Sequence, residues 1–93
     1  MHEHQYINKS TLELAERLVK VSWDEINIED KAFFADVVRR LCPGDQYDFS
    51  NGTVTGSSKS GAVTSAIIPL VYRIIKAVLP KVEDQLKADW WKV

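Results

Sequence analysis

The stretch Gly56-Ser57-Ser58-Lys59-Ser60-Gly61 carries the residue types that hold anions: glycines that let backbone amides approach a ligand, serine hydroxyls and a lysine. An apolar run follows it directly. If that run is a helix, the segment sits at a helix N-terminus, where free amides and the helix dipole favour negative charge. A small phosphate-bearing ligand held by Ser58, Lys59, Ser60 and Gly61 is therefore one candidate. The segment is not a Walker loop, because the second glycine of that motif must be followed by Lys and Ser or Thr, and Ala62-Val63 follow here. A solvated, flexible helix entry is the plainer reading.

The aromatics carry more binding character. Trp90 and Trp91 stand close to the end of the sequence, and Tyr47 and Phe49 lie in a long polar connection. Residues of these types are enriched in the cores and hot spots of protein interfaces. They also complete small cores, and in a sequence the two roles look alike. Trp90, Trp91, Tyr47 and Phe49 are the candidate partner-binding residues.

Other chemistry finds less support. His2 and His4 could touch a metal ion, but structural zinc sites want four ligands at defined spacings, and Cys42 is the only other soft ligand. No metal or cofactor is expected. Cys42 falls near the inner face of its helix, where a buried, inert thiol is the default. Acid-base catalysis needs paired carboxylates or a histidine in a cleft. The carboxylates here mostly occupy helix caps and wet helix faces, so an enzyme is not expected. A helix-turn-helix would need base-reading side chains early in its second helix, whereas the basic pair Arg39-Arg40 comes at the end.

Composition narrows the class. The chain has 93 residues, a formal charge of −1 and a pI near 6.1, which suits one domain with no global pull toward nucleic acid or acidic lipid. A single cysteine fits a reducing compartment, and MHEHQYINKS lacks the basic and apolar pattern of a signal peptide, so a cytoplasmic protein is expected. The sequons at Asn8 and Asn51 are then chance matches.

The elements that must position these residues read as helices. Ser10 and Glu13 have capping-box spacing, so a first helix is expected to start near Thr11 after a flexible tail over 1–9. Its apolar arc, Leu12, Leu14, Ala15, Leu18, Val19, Val21 and Trp23, is broad enough for two neighbours or a second copy of the chain. Asn27 caps a second helix whose inner face is Phe33, Phe34, Val37, Val38 and Leu41, and Pro43-Gly44 stops it. Within the 43–60 connection, Asn51-Gly52 between Tyr47, Phe49 and Val54 signals a short β-hairpin.

Residues Ala62 to Leu79 are the densest aliphatic cluster. Arg73 and Lys76 inside the run, and the polar stripe Ser65, Pro69, Tyr72, Arg73, Lys76, argue against a membrane span. The wheel predicts a central helix, either bent or broken at Pro69, with Val63, Ile67, Leu70, Val71, Ile74 and Val78 inward. After Pro80, Val82, Leu86 and Trp90 recur every four residues and predict a last short helix, fresh or continued through the proline.

The expected fold is a single all-α domain, a three- or four-helix bundle around a Pro-bent central helix. The expected function is a non-enzymatic interaction module, a regulator, inhibitor or assembly adaptor. It would bind another protein, or itself as a homodimer, through helix faces and exposed aromatics.

Overall fold

The computed structural model describes residues 6–58 and 61–90. Asn8 opens the first helix, α1 (Lys9–Leu18): its side-chain oxygen accepts the Thr11 amide at 2.8 Å and the Thr11 hydroxyl at 3.0 Å. Ser10 is thus inside the helix and not its cap. Asn8 prevails because Thr11, which completes its pair of bonds, is itself buried. Residues 6–8, expected in a tail, are also tied down. The Tyr6 hydroxyl donates to Asp36 at 2.6 Å, and its ring packs on Phe33.

A turn and a short 3-10 segment, Trp23–Glu25, lead to α2 (Ile28–Leu41). Asn27 caps this helix as expected, accepting the Asp30 amide at 2.8 Å, while Glu29 and Asp30 meet the positive end of its dipole. Phe34, Val37 and Val38 are buried, with Phe33 and Leu41 packed beside them. The helix ends before Pro43, and Gly44 takes a left-handed φ of 92°.

The chain then departs from an all-α bundle. Three antiparallel strands, β1 (Gln46–Asp48), β2 (Thr53–Ser58) and β3 (Gly61–Ala66), form a sheet in that order, so the fold is α+β. The Asn51-Gly52 hairpin is present, with Tyr47 opposite Val54 and Gly52 at φ 67°. The third strand was not expected. Ala62 to Ala66, read as the opening of the central helix, pair along β2 from Thr53↔Ala66 to Ser58↔Gly61. A short apolar run has no period of its own that separates strand from helix. Here β-branched Val63 and Thr64 meet a ready partner in β2, and pairing decides.

The last helix, α3 (Ile67–Trp90), is one element of 24 residues. Pro69 is its third residue, in the first turn, where amides have no intrahelical acceptor; its missing N–H costs nothing there and no bend is required. Pro80 is the proline inside the helix, and no separate final helix follows it.

The start at Ile67 also moves the inward stripe. Ile67, Ile68, Val71, Ile75, Leu79 and Val82 are buried, whereas Leu70, Ile74 and Val78 are only half-buried. The sequence wheel had included five residues that belong to a strand. The helix packs against α1 and α2, and the joint core takes in Ala15, Ile26, Phe34, Val37 and Val54. Among the described residues, no helix is long and apolar enough to cross a membrane.

Candidate functional site

Tyr47 on β1 is held by its own chain. Its hydroxyl accepts from Arg39 Nε at 2.9 Å and also from Arg39 Nη2, and the guanidinium lies 4.9 Å from the ring centroid. That hydrogen bond raises the Arg39 pKa further above its usual value. The polar tip of Tyr47 is thus satisfied within its own chain, and its ring is half-covered.

Phe49, in the β1–β2 turn, belongs to a different cluster. Its ring meets Trp23 edge-on at 6.0 Å, its carbonyl accepts the Trp23 indole N–H at 2.7 Å, and Lys31 lies over the indole at 5.6 Å. Sequence reasoning missed the role of Trp23, having placed it on the first helix. That helix ends at Leu18, which frees Trp23 to clamp the hairpin turn. Trp90 closes the backbone of α3, but the side chain of Trp90 and all of Trp91 lie outside the described residues.

A phosphate site at Ser58, Lys59, Ser60 and Gly61 requires a helix that begins there. The helix begins at Ile67, and its first amide donates to the Gly52 carbonyl at 2.8 Å. Ser58 and Gly61 are instead the terminal pair joining the end of β2 to the start of β3, and the side chain of Ser58 and all of Lys59 and Ser60 lie outside the described residues. The dipole and free amides that motivated the site are therefore placed elsewhere in the fold.

Among the described residues, two concavities stand out. A crevice of about 120 Å³ between Val21, Trp23, Ile26, Gly52 and Pro69 is smaller than the roughly 300 Å³ at which ligand pockets begin. A groove of about 540 Å³ runs between α1 and α3, floored by Leu12, Leu79 and Pro80. Its rim is ordinary surface charge, including a loose Lys9–Glu83 pair at 3.8 Å.

Among the described residues, no three His, Cys, Asp or Glu side chains gather to hold a metal. Burial, and then Asp45, push the Cys42 thiol up, which disfavours the nucleophilic thiolate. No family model matches the chain, and no curated protein or solved structure is significantly similar to it. Its surface chemistry is therefore the guide to function.

The open edge of the sheet is the distinctive feature of that surface. β3 is one of the two edge strands in the order β1-β2-β3, bonded to β2 on one side, and the other edge strand, β1, is shorter and carries Asp48. An edge presents a row of backbone donors and acceptors, and proteins usually guard it with charge, proline or a bulge. Gly61-Ala62-Val63-Thr64-Ser65-Ala66 contains neither a charge nor a proline, and its pairing with β2 runs through all six residues without a bulge.

Val63 stands in the middle of that edge and is 62% exposed. The cause lies in the register: its cross-strand neighbour on β2 is Gly56, which has no side chain to cover it. Val54, two residues from Gly56 on the same face, is 2% exposed, so Val63 continues a buried face beyond the point where the helices cover it. Among the described residues the exposed large hydrophobics are Ile28, Phe49 and Val63.

Proposed function

We propose that this chain is a non-enzymatic protein-interaction module that binds by adding a partner strand to the free edge of β3. The uncharged edge strand, exposed at Ala62, Val63, Thr64 and Ala66, is the observation that carries this. In strand addition, main-chain hydrogen bonds supply affinity and alternate side chains supply specificity. Here Val63 is the side chain with area to offer, and Thr64 faces the other way, its hydroxyl 3.0 Å from that of Thr55. The sheet takes over the role first expected of helix faces and aromatics. Such a module could act as a regulator, inhibitor or assembly adaptor. A cytoplasmic setting goes with this proposal, supported by the single cysteine.

Site-specific photo-cross-linking in the native host tests it. A photoreactive residue at position 63 should give discrete protein adducts, and the same residue at exposed Glu29 on α2 should not. Identical adduct patterns from the two positions would sink the proposal.

A further inference from the structure

The geometry points to a second copy of this chain as the strand that pairs with β3, in antiparallel register about Val63. This rests on the strand-addition reading above and names its partner. The symmetry of the edge supplies the argument. Antiparallel pairing of two identical strands has its two-fold axis perpendicular to the sheet, so each face stays on its own side. Side chains alternate between faces, and directly opposed residues must therefore have numbers of the same parity.

Two central registers satisfy this condition. About Thr64, Val63 would oppose a serine of the second copy. About Val63, it meets its own counterpart, while Ala62 faces the second copy's Thr64 and Gly61 the second copy's Ser65. Only the second register gives Val63 the hydrophobic cross-strand neighbour that Gly56 fails to provide on β2.

Charge and bulk agree with self-pairing. With no ionisable residue in the strand itself, the new pairing opposes no like charges, the Asp45 carboxylate lying one strand back against Gly56, and Gly61, Ala62 and Ala66 put little bulk in the way of a neighbouring backbone. One isologous contact also occupies the β3 edge of both copies at once, leaving a continuous sheet of six strands, three from each copy, with β1 at either end. A single six-residue strand pair makes a small interface, at the weak and transient end of specific association, so the dimer is concentration-dependent.

Charge exchange at the axis tests both partner and register. Val63→Lys and Val63→Glu should each abolish self-association in sedimentation equilibrium, because like charges then sit directly opposite. An equimolar mixture of the two should restore it and lose it again in high salt. Circular dichroism of each variant checks that the fold persists, which the exposure of Val63 favours. On a Cys42→Ala background, Val63→Cys should oxidise to a disulfide dimer at least tenfold faster than Ala62→Cys or Thr64→Cys.

A wild-type chain that stays monomeric at about 1 mM, where even a weak association with a Kd of about 1 mM is half-formed, overturns the second-copy assignment. Equal oxidation rates at the three positions also overturn it. If position 63 still cross-links to a different protein in cells, strand addition stands and only the self-pairing falls. If neither is seen, both fall.

Discussion

Gly52 and Trp23 touch so closely that a Cβ on the glycine would lie 2.3 Å from Trp23 Cδ2. The glycine also has φ 67°, and its carbonyl receives the first amide of α3. One residue thus joins the hairpin turn, the clamp and the helix that follows the sheet. Gly52→Ala should destabilise the fold by about 2–4 kcal/mol, the sum of left-handed strain and displacement of the indole. Gly44→Ala is the control. Its φ is 92° but nothing lies within 4 Å of the added carbon, so only the backbone cost of about 1 kcal/mol applies. Urea unfolding midpoints separate the two.

Trp23→Phe keeps a ring in the clamp and removes the indole donor to the Phe49 carbonyl. A loss of about 1–2 kcal/mol is expected from the hydrogen bond and the smaller ring. Exchange of the Gly52 and Ile67 amides should quicken in the same variant, and an unchanged exchange pattern would mean that the turn holds without the clamp.

The two helix caps give a clean comparison. Asn8→Ala and Asn27→Ala should each cost about 0.5–2 kcal/mol, because each removes an acceptor for an end amide. Ser10→Ala should change stability by no more than about 0.5 kcal/mol, since Ser10 is exposed and inside the helix. A large loss at Ser10 in thermal melts would restore the capping box as the true start.

The prolines should differ in the same way. Pro80→Ala restores an interior amide and removes pressure on the Lys76 carbonyl, so stability should rise by about 1–3 kcal/mol. Pro69→Ala should be neutral or cost up to about 1 kcal/mol, since its amide lacks an intrahelical acceptor and its ring lines the crevice beside Trp23. Chemical denaturation of both variants checks the ranking.

Acid stability should depend on Asp48. Its carboxylate accepts the Asn51 amide at 3.2 Å, the Asn51 side-chain amide at 2.7 Å and the Ser50 amide at 2.9 Å. These bonds, those from Asn51 foremost, hold its pKa below the usual carboxylate value. A depressed folded pKa contributes stability above the unfolded value, near pH 4, and that contribution is lost as pH falls through the folded pKa. Asp48→Asn should therefore flatten the stability profile below about pH 4. Tyr6 has the opposite sign: its bond to Asp36 raises its pKa, so its contribution is present below about pH 10 and lost as pH rises through the folded value. Tyr6→Phe should flatten the alkaline limb, read by circular dichroism.

Local chemistry carried much of the fold. Asn27, the inner residues of α2, the stop at Pro43-Gly44 and the turn at Asn51-Gly52 act through neighbours a few positions away, and their effects are legible without a structure. The candidate site was less so. Tyr47 and Phe49 were legible as aromatics in a hairpin, but whether they face a partner or their own chain depends on Arg39 and Trp23, 8 and 26 residues away. Val63 was read as an inward helix residue, because nothing local marks it as the middle of an edge. The β-branched runs Thr53-Val54-Thr55 and Val63-Thr64 were the signal that two strands could pair.

The sequence alone determined the cap of α2, the first hairpin turn and the charges that interrupt the last helix, since these depend on intervals of two to four residues. Tertiary structure decided where the apolar run changes from strand to helix. A helix closes its bonds within itself, whereas a strand closes them only with a partner, and β2 claimed residues 61–66 before α3 could begin at Ile67. That capture left Val63 opposite a glycine and β3 at the open edge of the sheet.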